Sequence, residues 1–249
     1  MDDSETLELV CSRAWPPLID EPLGEWRLRW ADGFTGRANS ALAVGDPGRP
    51  VAEALKAVCD FAHDRAIPAV VQVVEGSDVE RAVAAAGWAE WTEHAAGYQV
   101  SVLVGALPDE SEGPAEMLDE PTSAWWELTA DRAEPSAAER HVLTTGKVGY
   151  GVIDVGDGTA GAVRGAVVDG WLHVSRLAVR PEFRRRGLAT ALMRALASWG
   201  RRHGADRWVL QVAVGNTGAL KLYSGLGCTE HHRYRYWGPG TGACEDQQS

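Results

Sequence analysis

The strongest constraint on the fold is the pattern of apolar residues between positions 171 and 215. Residues 187–203 repeat apolar side chains at helical spacing and carry arginines on the opposite face, which predicts an amphipathic helix. The flanking segments 171–181 (WLHVSRLAVRP) and 206–215 (DRWVLQVAVG) are β-branched and partly alternating, which predicts strands. A strand, a helix and a strand of these lengths form a βαβ unit with two parallel strands. We therefore expect an α/β fold (α+β in some schemes) with a mixed central sheet flanked by helices.

The same order of elements occurs twice along the chain. In the back half, residues 123–146 are predicted to be helical, and residues 150–170 form two short β-runs joined by Gly-Asp-Gly, which predicts a hairpin. In the front half, RANSALAV (37–44), a helix over 51–65 and PAVVQVVEG (68–76) repeat the strand–helix–strand order. This self-similarity predicts two tandem modules of one fold.

An acidic segment separates the two modules. Residues 107–122 contain three prolines, several acidic residues and no basic residue, which favours a solvated connector. The predicted organisation is a degenerate front domain over 1–106, this linker, and a catalytic domain over 123–249. Both domains then have a common size of about 100–130 residues.

The charge of the chain is unevenly distributed. The net charge of −11 argues against a nucleic-acid partner. Residues 1–121 hold 23 acidic and 8 basic residues, a net of −15, whereas residues 122–249 hold 12 and 16, a net of +4. The acidic half either attracts a cationic substrate or serves solubility, and the sequence leaves both explanations open.

The cysteines and histidines give no pattern of a metal site. The four cysteines (Cys11, Cys59, Cys228 and Cys244) include no C-x-x-C pair, so we expect neither zinc ligands nor a disulfide framework. His231 and His232 lack further ligands at metal-binding spacing. The acidic N-terminus and the absence of a long apolar run predict no membrane association. A reducing, cytoplasmic location is the expectation.

The residues with the clearest chemistry lie between the first strand and the helix of the βαβ unit. Residues 184–189 read Arg-Arg-Arg-Gly-Leu-Ala. Cations are unfavourable at a helix N-terminus unless an anion is bound there. The small residues Gly187 and Ala189 allow a phosphate to approach the free N–H groups of the first turn. The alternative is a solvated basic turn.

A second motif follows the second strand, and the two together resemble a known family. Residues 216–227 have the pattern Asn-x-x-Ala-x-x-Leu-Tyr-x-x-x-Gly. With the Leu-Ala-Val-Arg-Pro strand end and the R-x-x-G-x-A loop, this pattern resembles the GNAT superfamily of N-acetyltransferases. The resemblance covers 171–237 by motifs and 123–170 by element order, and Cys228 stands where the family usually has an aromatic residue. The chain as a whole resembles a two-domain bacterial GNAT protein with a degenerate N-terminal half.

The resemblance implies a site for acetyl-CoA with no metal. The pantetheine arm of acetyl-CoA would be held by the end of the strand predicted over 171–181 and by Asn216. The pyrophosphate of acetyl-CoA would be held by the arginine loop. The implied donor-binding residues are Leu177, Ala178, Val179, Arg184, Arg185, Arg186, Gly187, Leu188, Ala189, Thr190 and Asn216.

The resemblance also implies two catalytic residues. Tyr223 would protonate the departing thiolate, because the ordinary pKa values of a phenol and a thiol lie close together. His173 stands where several members carry a glutamate base, and it would accept a proton from the amine. The alternatives are a half-buried helix tyrosine and a structural histidine.

The front copy lacks these features. It has DPGRP (46–50) in place of the arginine loop, Gly76 in place of Asn216 and Val83 in place of Tyr223, so it should not bind acetyl-CoA by this route. The predicted protein is an enzyme, a monomer or a homodimer, that transfers acetyl from acetyl-CoA to a primary amine. A small-molecule acceptor is favoured over a protein. The alternatives are a non-catalytic CoA-binding regulatory protein and an acyltransferase with a different acyl-CoA donor.

Overall fold

The computed structural model describes residues 3–93, 97–109, 113–156, 158–240 and 244. Within them the helices are α1 (Asp3–Ala14), α2 (Val51–Asp64), α3 (Asp78–Ala85), α4 (Ser123–Ala130), α5 (Ala137–Thr144), α6 (Leu188–Arg202) and α7 (Thr217–Gly225). The strands are β1 (Ile19–Leu23), β2 (Trp26–Trp30), β3 (Ala41–Ala43), β4 (Val71–Val74), β5 (Trp88–Glu90), β6 (Gln99–Ala106), β7 (Glu116–Leu118), β8 (Val148–Val155), β9 (Gly158–Val168), β10 (Trp171–Val179), β11 (Arg207–Ala213) and β12 (Thr229–Pro239). The expected mixed α/β architecture is confirmed.

The chain forms two compact units that do not follow the chain order strictly. The first comprises Met1–Val102, Val212–Asn216 and His231–Ser249, and the second comprises Leu103–Gln211 and Thr217–Glu230. The segments 212–216 and 231–249, which the sequence assigns to the back domain, thus belong to the first unit. The division into 1–106, 107–122 and 123–249 stays a prediction about the chain's domains.

The first unit is organised around a βαβ crossover. Strands β3 and β4 are parallel, with α2 between them in the chain, as the repeat predicts. On their far sides, β2 pairs with β3 and the last strand, β12, pairs antiparallel with β4. The core under α2 is built from apolar residues of the helix and the strands, among them Trp26, Leu55, Val58, Val71 and Val73.

The second unit contains the βαβ unit that the apolar pattern predicts. Strands β10 and β11 are parallel, and β9, β8 and β7 continue the sheet antiparallel to one another. The predicted hairpin is β8–β9, in which Val155 pairs with Gly158. Helix α6 lies close on this sheet because strand glycines leave room for it. A Cβ on Gly165 would approach Leu196 Cδ1 to 2.7 Å, and one on Gly149 would approach the Trp199 ring to 2.5 Å.

Two segments of the second unit differ from expectation. Residues 123–146 form two helices rather than one, because Asp131 has a left-handed backbone (φ +57°) and Ser136 and Glu139 make a capping box that starts α5. The expected solvated connector contains strand β7, which pairs with β8. The half-buried apolar pair Met117–Leu118 explains this strand, since it completes the sheet edge between exposed acidic residues.

The expectation about the cysteines is wrong in one respect. Cys59 and Cys244 form a disulfide, with their Cα atoms 6.0 Å apart, whereas Cys11 and Cys228 are free and buried. The two bonded cysteines are 185 residues apart, so no local spacing could indicate the pair. The cysteines therefore no longer support a reducing compartment. No helix in the described part of the chain is long and apolar enough to cross a membrane.

Candidate functional site

The arginine loop joins β10 to α6 through a short 3₁₀ turn, Pro181–Phe183. Two residues of the loop have left-handed backbones, Arg185 (φ +63°) and Gly187 (φ +80°), and Gly187 is the N-cap of α6. Arg184 Nε donates to the Val179 carbonyl oxygen (3.1 Å), and the Arg186 guanidinium lies over the Phe183 ring. These contacts bend the chain at the helix start, and the three arginines remain exposed.

The loop presents a row of backbone donors. The first N–H group of this region to bond into α6 is that of Ala191, which donates to the Gly187 carbonyl (3.0 Å). The six preceding N–H groups, of residues 185–190, have no acceptor among the residues that the structure describes. Successive N–H groups in such alternating conformations form an anion-binding concavity, and the α6 dipole adds positive potential. This geometry favours an anion site over a solvated basic turn.

The end of β10 offers a second set of backbone groups. Its parallel pairing with β11 runs from Trp171–Arg207 to Val174–Leu210. A bulge follows between Ser175 and Ala178, where Arg176 has φ +55°. Beyond the bulge, Ala178 and Val179 pair with β9 on one side. The parallel pairing with β11 does not reach Leu177–Val179, and the Val179 carbonyl on that side accepts from Arg184 Nε.

Tyr223 lies on α7 and is more buried than a half-buried helix tyrosine, with 7% of its surface exposed. Burial raises the pKa of its phenol to about 12, and the nearby Cys228 adds to the shift. The group therefore stays protonated throughout the neutral range and keeps a proton that it can donate.

His173 is fully buried in β10. The period of the strand places it on the same face as Ser175, and Ser175 pairs directly with the buried Arg164 of β9. The Arg164 guanidinium donates to the carbonyl oxygens of Leu143 (2.8 Å) and Val142 (3.3 Å) at the end of α5. His173 thus lies on the face of the sheet that carries α5, and a role as base stays a prediction.

Asn216 is exposed and directly precedes α7 in the chain. Its backbone N–H donates to the Ala213 carbonyl (2.8 Å). Contacts place it in the first unit, whereas the arginine loop, Leu177–Val179, His173 and Tyr223 belong to the second. Its assignment to the pantetheine arm stays a prediction.

A cavity of about 350 Å³ lies beside the outer face of α6. Its described lining consists of Gly113, Pro114, Gly187, Thr190, Ala191, Arg194 and Ala195. Sequence reasoning overlooked Arg194. Its spacing could have indicated it. Arg194 is seven residues after Gly187, which is close to two helical turns, so the two residues lie on the same face of α6.

The equivalent loop of the first unit is filled by the chain's own carboxylates. Two of its residues, Gly45 (φ +73°) and Gly48 (φ +70°), have left-handed backbones. Their N–H groups donate to side chains of Glu5 (3.2 Å) and Asp46 (2.8 Å), and the Asp46 N–H donates to Glu25 (2.6 Å). These donors are satisfied internally, and the expectation that this copy does not bind acetyl-CoA stays a prediction.

The two adjacent histidines have structural partners. His231 Nε2 lies 3.1 Å from Asp3 Oδ2, and His232 Nε2 lies 2.9 Å from Glu8 Oε1, so both contact helix α1 within the first unit. No group of three or more metal-ligating side chains occurs in the part of the chain that the structure describes.

Comparison with known proteins gives concordant matches along nearly the whole chain. Residues 3–237 match the family described as "Probable histone acetyltransferase Rv0428c C-terminal". The chain is 27% identical to the uncharacterized N-acetyltransferase YobR of Bacillus subtilis, covering 93% of this chain and 98% of that protein.

Solved structures show the same fold. A GCN5-related N-acetyltransferase from Kribbella flavida is 15% identical, with a TM-score of 0.71 and 99% of both chains covered. A tandem GNAT protein from the clavulanic acid biosynthesis pathway is 16% identical, with a TM-score of 0.61, 93% of this chain and 86% of that chain covered.

Proposed function

Since the chain belongs to the family described as the C-terminal part of the probable histone acetyltransferase Rv0428c, within the GNAT superfamily, we propose that it transfers acetyl from acetyl-CoA to a primary amine. The observation that carries the choice of donor is the row of six N–H groups at the start of α6, which have no acceptor among the described residues and lie beside the side chains of three exposed arginines. This arrangement fits a diphosphate, which needs several donors and compensating positive charge.

The remaining donor-binding residues follow from the strand end. Leu177–Val179 would pair with the amide groups of the pantetheine arm through backbone groups other than the Val179 carbonyl, which accepts from Arg184 Nε, as a strand edge pairs with an extended peptide. Residues 184–190 would hold the diphosphate. A thioester held in this way is fixed beside its acceptor, and such positioning alone supplies up to about 7–11 kcal/mol of catalysis.

Tyr223 would act on the leaving sulfur. In the transfer, the amine lone pair forms a bond to the thioester carbonyl carbon, the C–S bond breaks, its electron pair stays on sulfur, and the amine loses one proton. With a pKa of about 12, Tyr223 is a weaker acid than a free thiol of pKa about 8.5. Full transfer to such a thiolate is uphill by about 5 kcal/mol. Its proposed role is therefore to donate a hydrogen bond that stabilises the developing thiolate.

The base for the amine proton is proposed to be His173, acting through water. Its burial in β10 means that a proton must pass between it and the amine along other groups. The net charge of −15 in residues 1–121 supports a cationic acceptor, because a negative field raises the encounter rate with amines. A small-molecule amine is the proposed acceptor, and the histone named in the family description makes a lysine peptide the second candidate.

The test is acetyl-CoA consumption over a panel of small amines and a histone-tail peptide, with propionyl-CoA as a second donor. Tyr223→Phe should lower the single-turnover rate about 100-fold and leave the dissociation constant of CoA within twofold. Tyr150→Phe is the matched control. Tyr150 is also buried with a pKa of about 12, but its hydroxyl donates to the Leu143 carbonyl (2.9 Å).

The control should lose about 1 kcal/mol of stability and keep its single-turnover rate. Equal rates for the two variants would remove Tyr223 from the reaction. CoA binding without turnover of any acceptor or donor would favour the regulatory alternative, and turnover of propionyl-CoA alone would favour a different acyl donor.

A further inference from the structure

The cavity beside α6 extends the anion site in one direction. Gly187 belongs both to the arginine loop and to the cavity lining, so the cavity begins where the row of N–H donors lies. Thr190, Ala191, Arg194 and Ala195 continue it along one face of the helix. A ligand held by the loop through a phosphate therefore has space for a further group along α6.

The described lining favours a second anion over a purine ring. It includes one guanidinium, on Arg194, and one hydroxyl, on Thr190, and it includes neither an acidic nor an aromatic side chain. Among the residues described by the structure, Arg194 has no hydrogen-bond or ion-pair partner, and its side chain is exposed. An arginine that faces a cavity with its donors unused is suited to a phosphate, which it binds through two parallel hydrogen bonds.

The spacing along the helix matches the chemistry of the donor. Seven residues separate Gly187 from Arg194, a rise of about 10 Å, and a helical side chain points back towards the N-terminus. The Arg194 guanidinium is thereby directed towards the loop. In CoA, three ribose carbons separate the 5′-diphosphate from the 3′-phosphate, so the two anionic groups are close but distinct.

We propose that Arg194 recognises the ribose 3′-phosphate of the donor, which makes the protein selective for CoA thioesters over thioesters of dephospho-CoA. This inference rests on the proposed use of acetyl-CoA. It identifies a specificity-determining residue outside the arginine loop, and it gives the cavity one occupant.

The test is isothermal titration of the full chain with CoA and with dephospho-CoA, which lacks the 3′-phosphate. The wild-type protein should bind CoA about tenfold more tightly than dephospho-CoA, a difference of about 1.4 kcal/mol. Arg194→Gln should weaken CoA binding about tenfold and change dephospho-CoA binding less than twofold. Arg194→Lys should keep part of the preference, because it retains the charge but not the two parallel donors.

Arg202→Gln is the matched control, since it removes the same charge from an exposed position of the same helix outside the cavity lining. It should keep the preference for CoA. Equal binding of both ligands by the wild type, or equal losses in Arg194→Gln and Arg202→Gln, would overturn the role of Arg194 while leaving the proposed donor intact. Failure of the wild type to bind either ligand would instead overturn the proposed donor and this inference with it.

Discussion

Replacing Gly187 with aspartate tests the proposed anion-binding role of the arginine loop separately from any role in folding. The matched variant is Gly187→Asn, which has nearly the same shape and no charge. Both side chains tolerate a left-handed backbone better than other non-glycine residues do. An ideal Cβ on Gly187 would meet no atom within 4 Å, so neither variant clashes with its surroundings.

The effect on stability should be small and equal in the two variants. Gly187 has φ +80°, where a side chain costs about 1 kcal/mol. That cost corresponds to a fall in melting temperature of about 2–4 °C for a chain of this size. Any difference in ligand binding between the two variants therefore reports the charge and not the fold.

The effect on binding follows from Coulomb's law. A diphosphate that accepts hydrogen bonds from the N–H groups of residues 188–190 would lie about 5 Å from a carboxylate at position 187. Each pair of unit charges at that distance repels by about 0.8 kcal/mol in water, so two negative charges give about 1.7 kcal/mol. Gly187→Asp should therefore bind CoA at least about 15-fold more weakly than Gly187→Asn.

The assay is calorimetric titration with CoA at low and at high salt, together with thermal unfolding of each variant. The difference should shrink as salt rises, because the repulsion acts at a partly exposed site. Two folded variants with CoA dissociation constants within threefold of each other at low salt would refute the assignment of this loop to the diphosphate.

Three further results are expected. Tyr223 must be protonated to act, and its pKa of about 12 lies above the working range, so kcat should stay flat from pH 8 to 10; a fall in that interval assigned to Tyr223 would contradict its burial. Arg29→Met should lower the free energy of unfolding in urea by about 3–5 kcal/mol, because the buried Arg29 interacts with the charge of the buried Glu8 and donates to side chains of Ser12, Ser40 and Gln72. Arg27→Met, which removes a more exposed ion pair, should cost about 1 kcal/mol or less, and equal losses would refute the distinction. Burial raises the pKa of the Cys228 thiol to about 12, so it should resist alkylation at pH 8 until the protein unfolds; rapid labelling of the native protein would contradict this.

The sequence predicted the elements whose pattern is local. Helix α6 spans Leu188–Arg202 against a prediction of 187–203, because its apolar face repeats at one period and its ends carry glycines. The parallel pairing of β10 with β11 follows from that helix, since a crossover of this length joins parallel strands. The proposed anion site has the same local character, because its donors and cations are consecutive in the chain.

The features that escaped prediction depend on contacts between distant residues. The disulfide joins residues 185 positions apart, and β12 pairs with β4 although more than 150 residues separate them. Nothing near His173 in the sequence indicates that it is fully buried, because its surroundings come from the face that Ser175 shares with Arg164. The break between α4 and α5 was missed because the capping box at Ser136 and Glu139 lies within an otherwise helical pattern.

The two loops differ in charge in the same direction as the two halves of the chain. Each loop precedes a helix and contains two residues with left-handed backbones, so each offers backbone N–H donors to an anion. In the first unit these donors are occupied by Glu5, Glu25 and Asp46, which supply the negative charge from within the chain. In the second unit no described carboxylate accepts from the N–H groups of residues 185–190, and arginines replace the acids. Under the proposed function, the same backbone geometry would satisfy its donors in two ways. In the first unit an internal carboxylate accepts from them, and in the second an external phosphate would do so among arginines.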